Sequence, residues 1–168
     1  ANSEIIVPQD YTLKLSQAGG LPLGAKTLTL SGGGTLQSEG LDLNHQSSKL
    51  LLSSITVDNV STSKNSSSGG IDVDDNSTVS SLSVAHTTPV SIASGKTLSG
   101  AITVTAGSIK LDQTGTLASA IKMSGGKLDA DNSMTISGAV TQAGNAAIDV
   151  QSGKTLTFDN GTINTENY

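Results

Sequence analysis

The groups in this chain best suited to chemistry are carboxylates. Aligned on an internal repeat of 19 to 23 residues, Asp129 and Asp149 share an outward column with Asp72, Ser91 and Lys110. Asp112 and Asp131 fall in the neighbouring column with Asp74, Ala93 and Gln151. Asp112, Asp129, Asp131 and Asp149 are thereby expected to gather on one acidic face. Two carboxylates about 5 Å apart can serve glycoside hydrolysis, one as nucleophile and the other as acid and base. Carboxylate clusters also hold calcium. Against both uses, arginine is absent, no aromatic ring stands near to stack on a sugar, and no long loop is present to wall a cleft.

The remaining candidates are weaker. The run Asp72-Val73-Asp74-Asp75-Asn76 resembles a set of calcium ligands, but strand alternation divides its carboxylates between two faces and a corner. His45 and His86 lie about two repeats apart with no second imidazole at metal-ligand spacing, which argues against a zinc site and a Ser-His-Asp triad. With no cysteine there is no disulfide, thiolate nucleophile or Cys-ligated metal. The expectation is therefore a solvated acidic surface, with no catalytic, cofactor-binding or metal-binding residue and no enzyme activity.

What positions these side chains is a repeat. A Thr followed by an apolar residue recurs at Thr12, Thr35, Thr56, Thr78, Thr97, Thr116, Thr135 and Thr155, at intervals of 23, 21, 22, 19, 19, 19 and 20 residues. Flanking positions follow it. Seven residues before most of these Thr stands a second apolar column, Leu28, Ile71, Val90, Ile109, Leu128 and Ile148, with partners two residues on at Leu30, Val73, Ile92, Leu111, Ala130 and Val150. A third set runs through Leu41/Leu43, Leu82/Val84, Ile102/Val104, Ile121/Met123 and Val140. Period-two apolar pairs are short strands, and pairs such as Ser94-Gly95, Gly125-Gly126 and Ser152-Gly153 supply the corners between them.

Three strands and three corners make a triangular coil. The sequence predicts an all-β fold, a single-stranded right-handed parallel β-helix (a β-solenoid) of about eight coils, with negligible helix. Right-handedness rests on the chirality of parallel crossovers, and stacking at ~4.8 Å gives a rod on the order of 40 Å long. One domain is expected over residues 1–168. Residues 1–11 form a cap or edge strand, 12–77 longer irregular coils, 78–159 regular coils and 160–168 a tail, with the period changing near Thr78. Ser61 to Gly70 reads as a projecting polar loop.

Composition narrows the partners. Aromatic residues make up only 2% of the chain, so the core must be Val, Ile, Leu and Ala. A net charge of -5 opposes phosphate attraction, which argues against nucleic acid. No apolar run reaches the ~20 residues a membrane-spanning helix needs. Ala rather than Met at position 1 fits an extracellular or cell-surface protein after signal-peptide removal, and equally a trimmed sequence.

Three resemblances bear on function. The phrases Gly24-Ala25-Lys26-Thr27-Leu28-Thr29-Leu30-Ser31-Gly32-Gly33-Gly34-Thr35-Leu36 and Ser152-Gly153-Lys154-Thr155-Leu156-Thr157-Phe158 resemble the degenerate repeats of bacterial autotransporter passengers and filamentous-haemagglutinin-type exoproteins. That resemblance implies an extracellular right-handed β-helix serving adhesion, biofilm or surface structure, without catalytic residues to carry over. The Thr column resembles the flat arrays of ice-binding proteins, although Lys14, Gln37 and Asp58 interrupt its neighbouring column. The acidic face resembles the siting of catalytic acids in pectinolytic β-helix enzymes.

The expected function is a structural or adhesive rod, possible partners being other copies of itself or a cell-surface or matrix component. Unpaired strands at both ends would let copies join end to end, the edge residues being Glu4, Ile5, Ile6 and Val7 at one end and Thr155, Leu156, Thr157 and Phe158 at the other. Ice binding by the Thr ladder and polysaccharide cleavage by the acidic face are the alternatives.

Overall fold

The computed structural model describes residues 2–65, 69–112, 114–159 and 163–165, with Asn164 and Thr165 described by backbone alone. Among the described residues there is no helix, and strands stack into three parallel ladders. The first ladder holds β1 (Ser3–Ile6), β4 (Thr27–Ser31), β7 (Lys49–Ser53), β9 (Gly70–Val73), β11 (Thr88–Ile92), β13 (Ser108–Leu111), β16 (Gly126–Ala130) and β19 (Ala146–Val150). The second holds β2 (Thr12–Leu15), β5 (Thr35–Ser38), β8 (Thr56–Thr62), β10 (Ser77–Val84), β12 (Thr97–Val104), β14 (Thr116–Leu117), β17 (Met134–Ile136) and β20 (Leu156–Phe158). The third runs through β3 (Leu21–Pro22), β6 (Leu41–Leu43), the far halves of β8, β10 and β12, then β15 (Ala120–Met123), β18 (Val140–Gln142) and β21 (Ile163–Thr165).

Every pairing of these strands is parallel. This is a β-solenoid with eight rungs per ladder and about seven turns from first rung to last. Strands this short cannot persist alone, because ordering each residue costs about 1–2 kcal/mol in backbone entropy. Stacking supplies the compensation. Inward residues such as Leu30, Leu52, Leu82, Ile109 and Leu117 are fully buried and belong to one continuous aliphatic cluster. Each such side chain contributes about 1.5–3 kcal/mol by leaving water.

The inward columns hold residues the repeat did not reveal. Leu50 and Leu52 occupy the first ladder's third rung, between Leu28/Leu30 and Ile71/Val73. Thr62 stands in the third ladder's inward column, 3% exposed, where its hydroxyl accepts from the Ala85 and His86 N–H groups. The polar stretch predicted as a loop over Ser61 to Gly70 is shorter than expected, since Ser61 and Thr62 complete β8 and Gly70 opens β9; residues 66–68 lie outside the described residues.

Corners are tied to neighbouring coils by side chains that replace missing ladder bonds. Asn44 Oδ1 accepts from the Gly24 N–H at 2.8 Å, Asn65 Oδ1 from Thr87 at 2.9 Å and Asn76 Oδ1 from Thr97 at 2.9 Å. Ser48, fully buried, accepts from the His45 N–H and donates to the Gly24 carbonyl at 2.6 Å. Asn76→Ala removes one such acceptor at an exposed corner. It is expected to cost about 1 kcal/mol, read as a fall of about 2–4 °C in the thermal midpoint by circular dichroism.

Candidate functional surfaces

The first ladder's outward side carries the acidic face. Lys110 lies beside Asp129, and Asp129 beside Asp149, as the repeat predicts. The neighbouring column differs from expectation. Val90 pairs with Leu111 rather than Ile109, a slip of two residues that places Lys110 beside Pro89. Asp112, whose N–H donates to the Val90 carbonyl, therefore follows Ser91 and Asp72 instead of Ala93 and Asp74. Asp131 stacks directly on Asp112, its N–H donating to the Leu111 carbonyl at 3.1 Å. All four predicted carboxylates thus share one face, in two adjacent columns.

Lysines run between them. Lys127 Nζ lies 3.2 Å from Asp129 and 3.0 Å from Asp149, and Lys110 lies 3.9 Å from Asp131. The Asp149 and Asp129 carboxylates hold the Lys127 ammonium above its ordinary range by hydrogen bonding. These pairs are solvent-facing and contribute little each. Asp112 behaves differently: partial burial, and then the nearby Asp131 charge, push its carboxyl above the usual range. A folded-state value above the unfolded one means the folded chain holds the proton more tightly. Ionised Asp112 therefore costs stability, and the cost appears as pH rises from the ordinary carboxylate range through the raised value. Asp112→Asn is expected to raise the thermal midpoint at pH 7 by on the order of 1 °C. Near pH 3, where both forms are neutral, the difference should vanish; a stabilisation equal at both pH values would contradict the electrostatic cause.

The Thr face is two runs rather than one. Thr12, Thr35, Thr56 and Thr78 are successive partners, but the next residue in that line is Ser99. Thr97, Thr116 and Thr135 form the second run, completed by Thr157 in place of Thr155. Thr155 instead precedes the strand, where its carbonyl accepts from the Met134 N–H. The cause is corner length: Val73 to Thr78 spans five residues and Ile92 to Ser99 spans seven, so the second ladder slips by two. A bulge at Ser80–Ser81 absorbs one residue of the mismatch, since Val79 faces Gly100 and Leu82 faces Ile102.

His45 and His86 line one corner groove of about 430 Å³ together with Asn44, Gln46, Lys64 and Asn65. His45 Nδ1 accepts from the Ser47 N–H. Among the described residues no group of three His, Asp or Glu is placed to hold a metal ion.

At the rod ends, the predicted edge strands do lie in terminal rungs. Glu4, Ile5 and Ile6 pair with Thr29, Leu30 and Ser31 on one side only. Leu156, Thr157 and Phe158 likewise pair with Met134, Thr135 and Ile136 on one side. Val7 departs from the expected edge: its side chain is 2% exposed, and its backbone already bonds Ser31 and Gly34. The sequence layout missed one terminal strand, β21, whose Ile163 stacks on Val140. Large apolar side chains stand open at both ends, namely Ile6, Tyr11 and Leu13 at one and Ile148, Val150 and Ile163 at the other.

Fold and surfaces together define a parallel β-solenoid repeat protein. No family model, curated protein or solved structure matches this chain, so the resemblance to autotransporter and haemagglutinin-type repeats has no relative behind it.

Proposed function

We propose that this protein is an extracellular structural or adhesive rod whose stack is continued end to end by further copies. The observation that carries the reading is the contrast between terminal and internal rungs. Ile148 is 40% exposed in the last rung of the first ladder, whereas Leu128, its partner one rung inward, is fully buried. Another parallel coil covers such a surface while also pairing the free N–H and C=O groups of the edge strands. A further copy brings that coil with matching spacing. The interface is heterologous and does not close on itself, which is the geometry that yields filaments.

On this reading the molecule performs no catalysis. Its partners are other copies and, along the rod, a cell-surface or matrix component contacted by the flat outward faces. The absence of cysteine and the acidic, Ser/Thr-rich surface are compatible with an exported protein. Light scattering across a concentration series, with electron microscopy of the same samples, tests the assembly. Mass rising with concentration and rods of uniform width are expected; a monomer at the highest concentration contradicts it.

A further inference from the structure

The end-to-end reading leaves open which residues meet and in what direction, and three observations answer that. The first is register. The third ladder keeps one inward column that is apolar at all eight rungs: Leu21, Leu41, Val60, Leu82, Ile102, Ile121, Val140 and Ile163. The first ladder's column runs from Ser3 through Leu28 and Val90 to Val150 and so opens on a polar residue, and the second ladder's column from Leu13 is interrupted at Gly100. The second is a cavity. At the N-terminal end, between β1 and β3, the open interior forms an apolar recess of about 250 Å³ lined by Ile5, Leu21, Leu23 and Leu28. The third is its complement. At the opposite end Ile163 projects 47% exposed from the same column.

Resting on the proposed assembly, we infer that the joint is head to tail, with Ile163 of one copy seated over Leu21 of the next and filling the Ile5/Leu21/Leu23 recess. The column then continues through the joint with the side chain it would have carried in a longer rod. A head-to-head joint would set two copies of the recess against each other and leave both Ile163 side chains in water. Joining one end to the other keeps the strands parallel, as they are at every rung within the chain. The resulting filament is polar, its two tips chemically different.

The chain has no cysteine, so introduced thiols report on this joint alone. Neighbouring parallel strands hold stacked residues about 4.8 Å apart, inside the Cα range of about 4.4–6.8 Å that a disulfide spans. Leu21→Cys and Ile163→Cys are made as separate proteins, mixed and oxidised. The mixture is expected to give a covalent dimer, each variant alone none, and the double variant a ladder of covalent oligomers. As a second readout that leaves Leu21 intact, Ile163→Lys is expected to weaken association at least 10-fold by sedimentation while its circular dichroism stays that of the parent. Filaments that crosslink 21 to 21, or that form undiminished with Ile163→Lys, overturn the head-to-tail joint and leave end-to-end assembly standing. If the parent does not associate at any concentration, the assembly reading falls and this joint with it.

Discussion

Leu82→Ala is expected to destabilise the rod by about 2–5 kcal/mol, the range for buried Leu truncations, and to lower the thermal midpoint by about 10 °C. Leu82 is fully buried in β10, in the middle of the third ladder. It stacks between Val60 and Ile102, so the void opens between two rungs at once. A solenoid's stability is close to a sum of nearest-neighbour contacts. A mid-rod gap thus uncouples the two halves, and urea unfolding should broaden as the halves separate. Ile148→Ala in the terminal rung is the control. Ile148 is 40% exposed and has a neighbour on one side only, so its loss should cost under about 1 kcal/mol in the isolated chain. Equal costs at the two positions would contradict the stacked architecture.

Gly100→Ala is expected to be nearly as damaging, through the backbone rather than a void. Gly100 has φ 122°, a conformation that side chains with a Cβ rarely adopt, and an added Cβ would run into the Val79 carbonyl oxygen. Strain of this kind costs about 1–3 kcal/mol before the clash is counted, so a loss of about 3 kcal/mol and a midpoint lower by about 6–12 °C are expected. The position matters because Gly100 faces Val79 beside the bulge at Ser80–Ser81, where the second ladder changes register. Hydrogen exchange should accelerate first in β10 and β12. Wild-type protection there would show that this register is not the one the chain uses.

These two sites mark the boundary of what the sequence makes legible. The three inward columns are readable because a buried parallel strand demands apolar residues at period two, and Leu28, Val73, Leu82 and Ile121 comply. Leu50 and Leu52 were hidden by Leu51 between them, which erases the alternation although Leu51 faces outward. Thr62 was hidden because a hydroxyl in an aliphatic column makes sense only once the corner N–H groups of Ala85 and His86 are seen beside it. The slip at Thr78 was invisible for a stronger reason. Thr78 and Thr97 are 19 residues apart, the same spacing as the true partners Thr97 and Thr116. Spacing alone does not say how many residues a corner consumes.

That slip reshapes the candidate surfaces. It splits the Thr ladder into two runs, with Ser99 and Thr157 taking places the repeat assigned to Thr97 and Thr155. The first-ladder slip brings Asp112 into line with Asp72, while its carboxyl is pushed upward by partial burial first and then by the Asp131 charge. The acidic face was nonetheless readable as a cluster, since a shift of two residues moves a side chain along a face without turning it inward.

The central claim is that the ladders run on from one copy into the next. Cryo-electron microscopy of the assembled protein, with helical reconstruction, tests it most directly. An unbroken stack at ~4.8 Å per rung with eight rungs per copy predicts an axial rise of about 38 Å per subunit and continuous strand density across each joint. Isolated monomers, or filaments in which rods lie side by side with a gap in the ladder between ends, would contradict it.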